Sequence, residues 1–392
     1  MDDVTVVGGG LAGLVASIAC AEAGAPVRLI EAHAELGGRA RSTSGDYKAN
    51  YGPHVVYCDG PIWDFLAERD ILPPVAKPPL KGLRFRLDGE LRRTPPLALV
   101  RPFLDRKAEA PVDVSFHTWA TERWGGTSAR LLCAAAGVFS FDADPGCLSA
   151  AFVWERLVRV YTTLPPAARY VIGGWTVMVD VLEAHARHLG VVIETGTVLD
   201  TVPDAPVIVA TDLAAARRLL GDETLRWESA RTALLDVGVR TRRGDPFVVS
   251  DLDECGWVEN YSLPDPSLAP DGHSLLQAQM GLREDESLED GVARIEMLLD
   301  AGYTAWRERE TWRRRAVIDG KSGALDLPGT TWRDRPAIDR GNGVFLAGDM
   351  VAAPGLLGEV SVNSALRAAG LAAAYAGSTT TAARARPVGL RS

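Results

Sequence analysis

The apolar positions near the start of the chain come in blocks rather than in alternation. Residues 4–7 (VTVV) are followed by a glycine cluster, a helix-length run of small and branched residues to Ala23, then Gly24 and a second block, Val27–Ile30. Short apolar blocks without a polar phase predict strands covered on both faces, as in a parallel sheet. The spacing predicts a βαβ unit: strand Val4–Val7, helix Leu11–Ala23 with Gly24 at its C-cap, and strand Val27–Ile30 closed by Glu31. Further strands are expected at Val191–Glu194, Val198–Val202, Val207–Ala210 and Val344–Ala347. A helix is expected around Val177, Val181, Leu182 and Leu189, and another from about Val362.

Two long stretches separate these blocks. Residues 61–165 read as helical and punctuated by proline. Residues 216–320 carry strand-like pieces, ALLDVGVRT and SLLQAQMGL, and an amphipathic helix within 284–303. The run WRERETWRRR (306–315) reads as a solvated helix face. The aromatics Phe116, Trp119, Trp124, Phe139, Phe141 and Trp154 read mainly as core packing. No internal repeat is evident, and the end of the chain, from about Ser378, reads as a frayed tail.

Composition narrows the function classes. The chain has 392 residues, 47% hydrophobic and 24% charged, enough for a large core. A net charge of −9 favours neither nucleic acid nor an anionic membrane as partner. Five dispersed cysteines without a CxxC point to a reducing cytosol, with no disulfide framework and no zinc site. His185 and His188 stand three apart without a third ligand, so no metal is expected. No leader is expected before Val4, and no apolar stretch reaches bilayer length, so a cytoplasmic protein without a transmembrane segment is expected.

The glycines carry the chemistry. Gly8, Gly10 and Gly13 make G-x-G-x-x-G between strand and helix. The first permits the tight turn, the second lets backbone N–H groups approach a diphosphate, and the third lets helix and strand pack closely. The helix N-terminus adds its positive end. Glu31 stands where an acid accepts hydrogen bonds from a ribose 2′-hydroxyl and repels a 2′-phosphate, so FAD or NAD fits better than NADP.

AHAELGGRARS (32–42) resembles the GGRxxS element of the flavin amine oxidase, phytoene desaturase and protoporphyrinogen oxidase superfamily. YKANYGPHVVY (47–57) resembles that superfamily's turn beside the flavin ring. GDMVAAPGLLGEVSVNSALRAAG (348–370) is similar to its phytoene-dehydrogenase-related branch. The resemblance implies an α/β fold: a Rossmann-like, GR2-type FAD-binding domain with an inserted α+β substrate domain. It places the discontinuous FAD-binding domain at 1–60, 166–215 and 321–380, the substrate or cap domain at 61–165 and 216–320, and a flexible tail at 381–392. FAD is the implied cofactor. The implied contacts are Gly8, Gly10, Leu11, Ala12, Gly13, Glu31, Ala32, Gly38, Arg39, Arg41, Gly52, Pro53, His54, Val198, Thr211, Gly348, Asp349, Glu359 and Val360. Val198 would contact adenine, Asp349 the ribitol or phosphate region, and Glu359 and Val360 the flavin through their backbone.

The implied reaction is hydride transfer from a small-molecule substrate to the flavin, with O2 or another acceptor reoxidising it. Dehydrogenation of a C–C bond in a secondary-metabolite-type substrate is favoured. Amine oxidation, C–N to imine, is the alternative; its lysine near the flavin has no clear counterpart, since Lys321 is the sole lysine after residue 107 and sits in a loop-like DGKSGALD. A non-catalytic FAD-binding protein is a third reading. His54 is the one candidate for acid–base work, with an oriented structural histidine as the competing role. A homodimer is left open.

Overall fold

A computed structural model describes residues 3–52 and 54–384. Its central element is a five-stranded parallel sheet of order β15-β9-β1-β2-β8: β1 (Val4–Val7), β2 (Val27–Ile30), β8 (Val192–Glu194), β9 (Val207–Val209) and β15 (Val344–Leu346). β1 lies between β2 and β9, Val6 opposite Leu29 on one side and Ile208 on the other. Val4, Val6, Leu29, Val207 and Ile208 are fully buried, as the unalternating apolar blocks require. Helix α1 (Leu11–Glu22) packs on this sheet beside α11 (Gly358–Arg384), which also touches β15, β9 and β1, and α7 (Trp175–His188) lies alongside α1. Leu14 and Ile18 of α1 are fully buried; truncating either to Ala costs about 2–5 kcal/mol.

The second sheet has seven strands in the order β14-β10-β13-β12-β11-β5-β6. These are β5 (Leu83–Leu87), β6 (Glu90–Arg92), β10 (Arg231–Arg240), β11 (Val248–Asp251), β12 (Trp257–Asn260), β13 (His273–Gly281) and β14 (Glu310–Asp319). One face packs Leu235, Val237, Leu276 and Ala278 against α9 (Leu288–Gly302). That helix opens on a capping box between Ser287 and Asp290. Helices α4 (Phe116–Trp124), α5 (Gly126–Ser140) and α6 (Ala150–Thr162) form a bundle around Trp119, Leu132 and Trp154. A small third sheet, β3 (Val56–Tyr57), β7 (Ala168–Val171) and β4 (Val75–Ala76), lies between, and short helices α2 (Pro61–Ala67), α3 (Leu97–Val100), α8 (Leu213–Leu220) and α10 (Trp306–Arg309) complete the fold.

Four expectations need correction. Residues 198–202 form no strand: Val198 is 70% exposed and has no partner segment. The stretch 61–165 is not purely helical, since β5 and β6 join the second sheet. WRERETWRRR is one helical turn followed by β14, paired along its length with β10. The terminal helix starts at Gly358, which puts Glu359 and Val360 in its first turn, and it runs to Arg384, through the first residues read as tail; residues 385–392 lie outside the described ones.

Candidate functional site

The loops at the C-terminal ends of β1, β2, β9 and β15 meet at one edge of the parallel sheet, where ligands of such sheets bind. The glycines there have unequal jobs. A Cβ at Gly13 would stand 1.8 Å from the Gly8 carbonyl oxygen, so helix and loop backbones are too close for any side chain. Gly8 has φ +102°, and a Cβ on it would lie 2.7 Å from the Ala210 oxygen. Gly10 differs. Its φ is −75°, and a Cβ would meet nothing nearer than the Gly37 oxygen at 4.0 Å. Folding does not require glycine at this position; the space before it is left open.

The N-terminus of α1 faces that opening with no side-chain cap and no acid in its first turn. Leu11 and Ala12 are buried there. Uncapped N–H groups and the helix dipole are together able to receive an anion. Glu31 is nearly buried and accepts from the Gly9 N–H (2.6 Å), the His33 N–H (2.8 Å) and the His33 ring (2.7 Å). Its carboxylate thus ties the glycine turn to the end of β2, while the adjoining Ala32 is exposed. Val198 follows Thr197, whose N–H reaches the Glu31 carbonyl at 3.0 Å, so it stands on the Glu31 side of the site.

Gly37 and Gly38 continue the cradle, with the Gly37 N–H on the Gly9 carbonyl at 2.7 Å and a Cβ at Gly38 held off by 3.7 Å from the Gly10 Cα. Arg39 spans the opening and forks onto Asp349 at 2.6 and 3.0 Å. The Asp349 charge raises the pKa of Arg39 above its ordinary value. Gly348 precedes Asp349 with φ +153° and exchanges hydrogen bonds with the Ser364 hydroxyl of α11. Thr211 sits beside Gly8 and Gly348. Arg41 turns to the Leu36 carbonyl (2.9 Å) and to Glu35, which commits it to the local loop. Lys321 pairs with Asp212 at 3.0 Å. Burial opposes the Asp212 charge, but the Ala215 N–H and Lys321 outweigh it and hold its carboxyl below the usual range. Lys321 stands out in the sequence only as the sole lysine after residue 107, and its partner Asp212 does not stand out, a D-L pair opening a helix being a signal for a cap alone.

The turn at Gly52 and His54 runs along the other side of the opening, and Pro53 lies outside the described residues. The His54 Nε2 is 3.1 Å from the Arg39 carbonyl, and its ring stacks on Trp175 at 4.4 Å. Trp175 is the first residue of α7, directly after Gly173-Gly174, and its buried indole N–H has no protein acceptor. Sequence reading passed over it because a tryptophan at a helix start reads as packing.

Glu359 is buried, and Arg159 of α6 grips it with two bonds of 2.6 and 2.5 Å. Its Oε2 also accepts from the Leu356 N–H at 2.9 Å. This pair locks the first turn of α11 to the helical bundle, a role for the Glu359 side chain that the backbone reading missed. Val360, one residue on, lines a small cavity with Asp349, Leu357, Phe152 and Arg156. Arg156 donates to the Phe152 and Gly355 carbonyls, and burial pulls its pKa down to about 10.

A polar row on the seven-stranded sheet faces this region. Arg314, Asp236, Gln277 and Glu259 stand opposite one another on four adjacent strands. Arg314 Nε donates to Asp236 at 2.6 Å, and Gln277 to Asp236 at 2.9 Å. Both also donate to the Asn50 carbonyl, at 2.5 and 3.0 Å. The Asn50 side chain in turn accepts from the Trp175 N–H (3.0 Å) and the Ser42 hydroxyl (2.7 Å). Asn50 therefore fastens the segment leading to His54 onto the second sheet. Among the described residues no cluster of His, Cys, Asp or Glu could hold a metal.

Residues 6–69 match the NAD(P)-binding Rossmann-like domain family. No curated protein sequence matches the chain. Solved structures with the same architecture include an oxidoreductase from Methanosarcina mazei (16% identity, 93% of this chain and 99% of that one, TM-score 0.75). Cyclohexylamine oxidase from Brevibacterium oxydans is similar over 96% of this chain and 99% of its own (15% identity, TM-score 0.73). Reduced UDP-galactopyranose mutase is similar over 96% of both chains (13% identity, TM-score 0.71). The glycine loop, Glu31, Arg39 and Asp349 are thus brought to one sheet edge of a chain that carries an NAD(P)-binding Rossmann-like domain and shares its whole fold with these solved oxidoreductase and mutase structures.

Proposed function

We propose that the protein is an FAD-dependent oxidoreductase acting on a small organic molecule. The observation that carries this reading is Gly10: an opening the fold does not need, in front of an uncapped helix, rimmed by Glu31, Gly38 and the Arg39–Asp349 pair. The residues fit the cofactor. The α1 N–H groups and Arg39 would hold the diphosphate, Glu31 the ribose, and the first turn of α11 the pyrimidine edge of the flavin. Bound flavin supplies a hydride acceptor. The chain's own contribution is positional. The Arg159–Glu359 pair and Asn50 hold the segments on either side of that edge, and the helical bundle and second sheet exclude water over it.

Dehydrogenation of a C–C bond is the favoured reaction. Lys321, the sole lysine in the second half of the chain, is tied to Asp212 at the phosphate side of the site, away from a role in amine oxidation. Amine oxidation remains the second reading, favoured by the similarity to cyclohexylamine oxidase over the whole length of that chain. Purified protein should carry flavin absorbance, and anaerobic addition of the right donor should bleach it. Protein that binds no flavin when refolded or incubated with FAD rejects the reading; a flavin that no amine or alkane-type donor reduces reassigns the chain to non-catalytic binding.

A further inference from the structure

We propose that α3 and the turn that follows it form a docking surface for an anionic lipid membrane. The overall charge of −9 conceals a local reversal: residues 77–107 carry nine Lys and Arg against three Asp and Glu. Within this stretch the segment Leu97–Asp105 is one helical turn of α3 running into a 3-10 turn. Leu99 and Pro102 point inward and are buried. Phe103 stacks on Trp154 at 5.7 Å and meets Tyr161 at 5.8 Å, so the segment is anchored to α6. The opposite face is also apolar. Leu97 is 85% exposed, Val100 41% and Leu104 86%. Their spacing, three then four residues, puts them on one side of the turn. Tyr161, near the end of α6, is exposed beside Phe103, and Leu164, two residues past that helix, is exposed too.

The cations around these side chains are unengaged. Most arginines at the candidate site and on the second sheet have a carboxylate partner, such as Arg39, Arg159, Arg309 and Arg314. Arg93, Arg101, Arg106 and Lys107 are exposed, and among the described residues none has a carboxylate within ion-pair distance. The nearby Asp105 is taken by Arg123 at 2.6 Å. Protruding leucines ringed by free cations match the two terms of interfacial binding, apolar insertion and attraction to anionic headgroups. A second copy of the chain fits poorly, because an isologous contact would oppose the same cations. Nucleic acid would use the cations but leave the leucines in water. No helix among the described residues is long and apolar enough to span a bilayer, so the contact is peripheral. The anchoring helix α6 also carries Arg156 and Arg159, so the membrane-facing turn and the candidate site share one support.

The test is co-sedimentation of the full-length protein with vesicles. Phosphatidylcholine vesicles containing about 30% phosphatidylglycerol should retain it at low salt, whereas pure phosphatidylcholine or high salt should release it. Leu97→Ser with Leu104→Ser, and separately Arg101→Gln with Arg106→Gln and Lys107→Gln, should each lower partitioning about tenfold or more, without changing the thermal midpoint. A polarity-sensitive dye on Leu104→Cys should shift to the blue with anionic vesicles. No retention by anionic vesicles, a leucine variant that partitions like the parent, or an unshifted dye overturns the proposal. So does a stable complex with an acidic polypeptide such as polyglutamate that forms where vesicles fail to bind.

Discussion

Two buried polar regions of this protein look alike by composition and differ in what they leave unsatisfied. At the edge of the parallel sheet, the α1 N-terminus has no cap and Gly10 keeps a space clear. Across the second sheet, Asp236 accepts from Arg314 and Gln277, and both of these also donate to the Asn50 carbonyl. A polar row whose acid and amide groups are paired within it contributes shape and alignment, with only the buried Arg314 Nη1 left without a protein partner in it. A helix end whose donors face an opening is waiting for a ligand, because buried donors cost free energy until they are paired. On the proposed reading, the difference separates binding machinery from the framework that holds it.

Gly13→Ala puts the largest strain on this division. Its Cβ falls on the Gly8 carbonyl, so the fold should lose more than about 4 kcal/mol in denaturant unfolding, with or without FAD. Arg314→Met comes next. It leaves Asp236 charged and buried, where burial already raises the carboxyl pKa, and should cost about 3–5 kcal/mol; adding Asp236→Leu should recover much of that loss. Recovery of nothing would mean that the row does more than align the sheet.

Glu259, at the end of the same row, bonds the Tyr170 hydroxyl. Burial pushes its pKa from 4.5 up to about 7, against the hydrogen bonds from Tyr170 and Tyr261. Between those values the native state keeps a proton that the unfolded chain has released, so stability should fall as pH rises through that window, by up to about 3 kcal/mol. Glu259→Gln should flatten that part of the pH–stability curve; an unchanged curve would place the titration elsewhere.

Gly10→Val should have the smallest effect on the fold, about 1 kcal/mol or less, since its Cβ meets no neighbour. Flavin retention should nevertheless be lost, as measured by absorbance after gel filtration. A Gly10→Val protein that keeps a full complement of flavin would move the cofactor away from this loop.

Much of the parallel-sheet side was legible from residue order. The blocks VTVV and VRLI became β1 and β2, the glycine spacing marked the turn, and the helix over 175–188 followed its apolar spacing. These signals are local: each arises from residues a few positions apart, where burial on both faces or glycine geometry dictates the residue type. WRERETWRRR misled for a physical reason. Its polar side chains alternate between partly buried and exposed along β14, and only pairing with β10 gives that alternation a meaning that charge alone does not carry.

From residue order alone come the βαβ start, the glycine cradle and the apolar terminal helix, because backbone geometry and burial act over short spans. Long-range closure supplied the rest. Arg39 meets Asp349 across 310 positions, Arg159 meets Glu359 across 200, and Asp236 finds Arg314 and Gln277 on neighbouring strands. A charged side chain is compatible with many partners, and which one it meets depends on how the sheets and helices pack, so those pairings exist only in the folded chain.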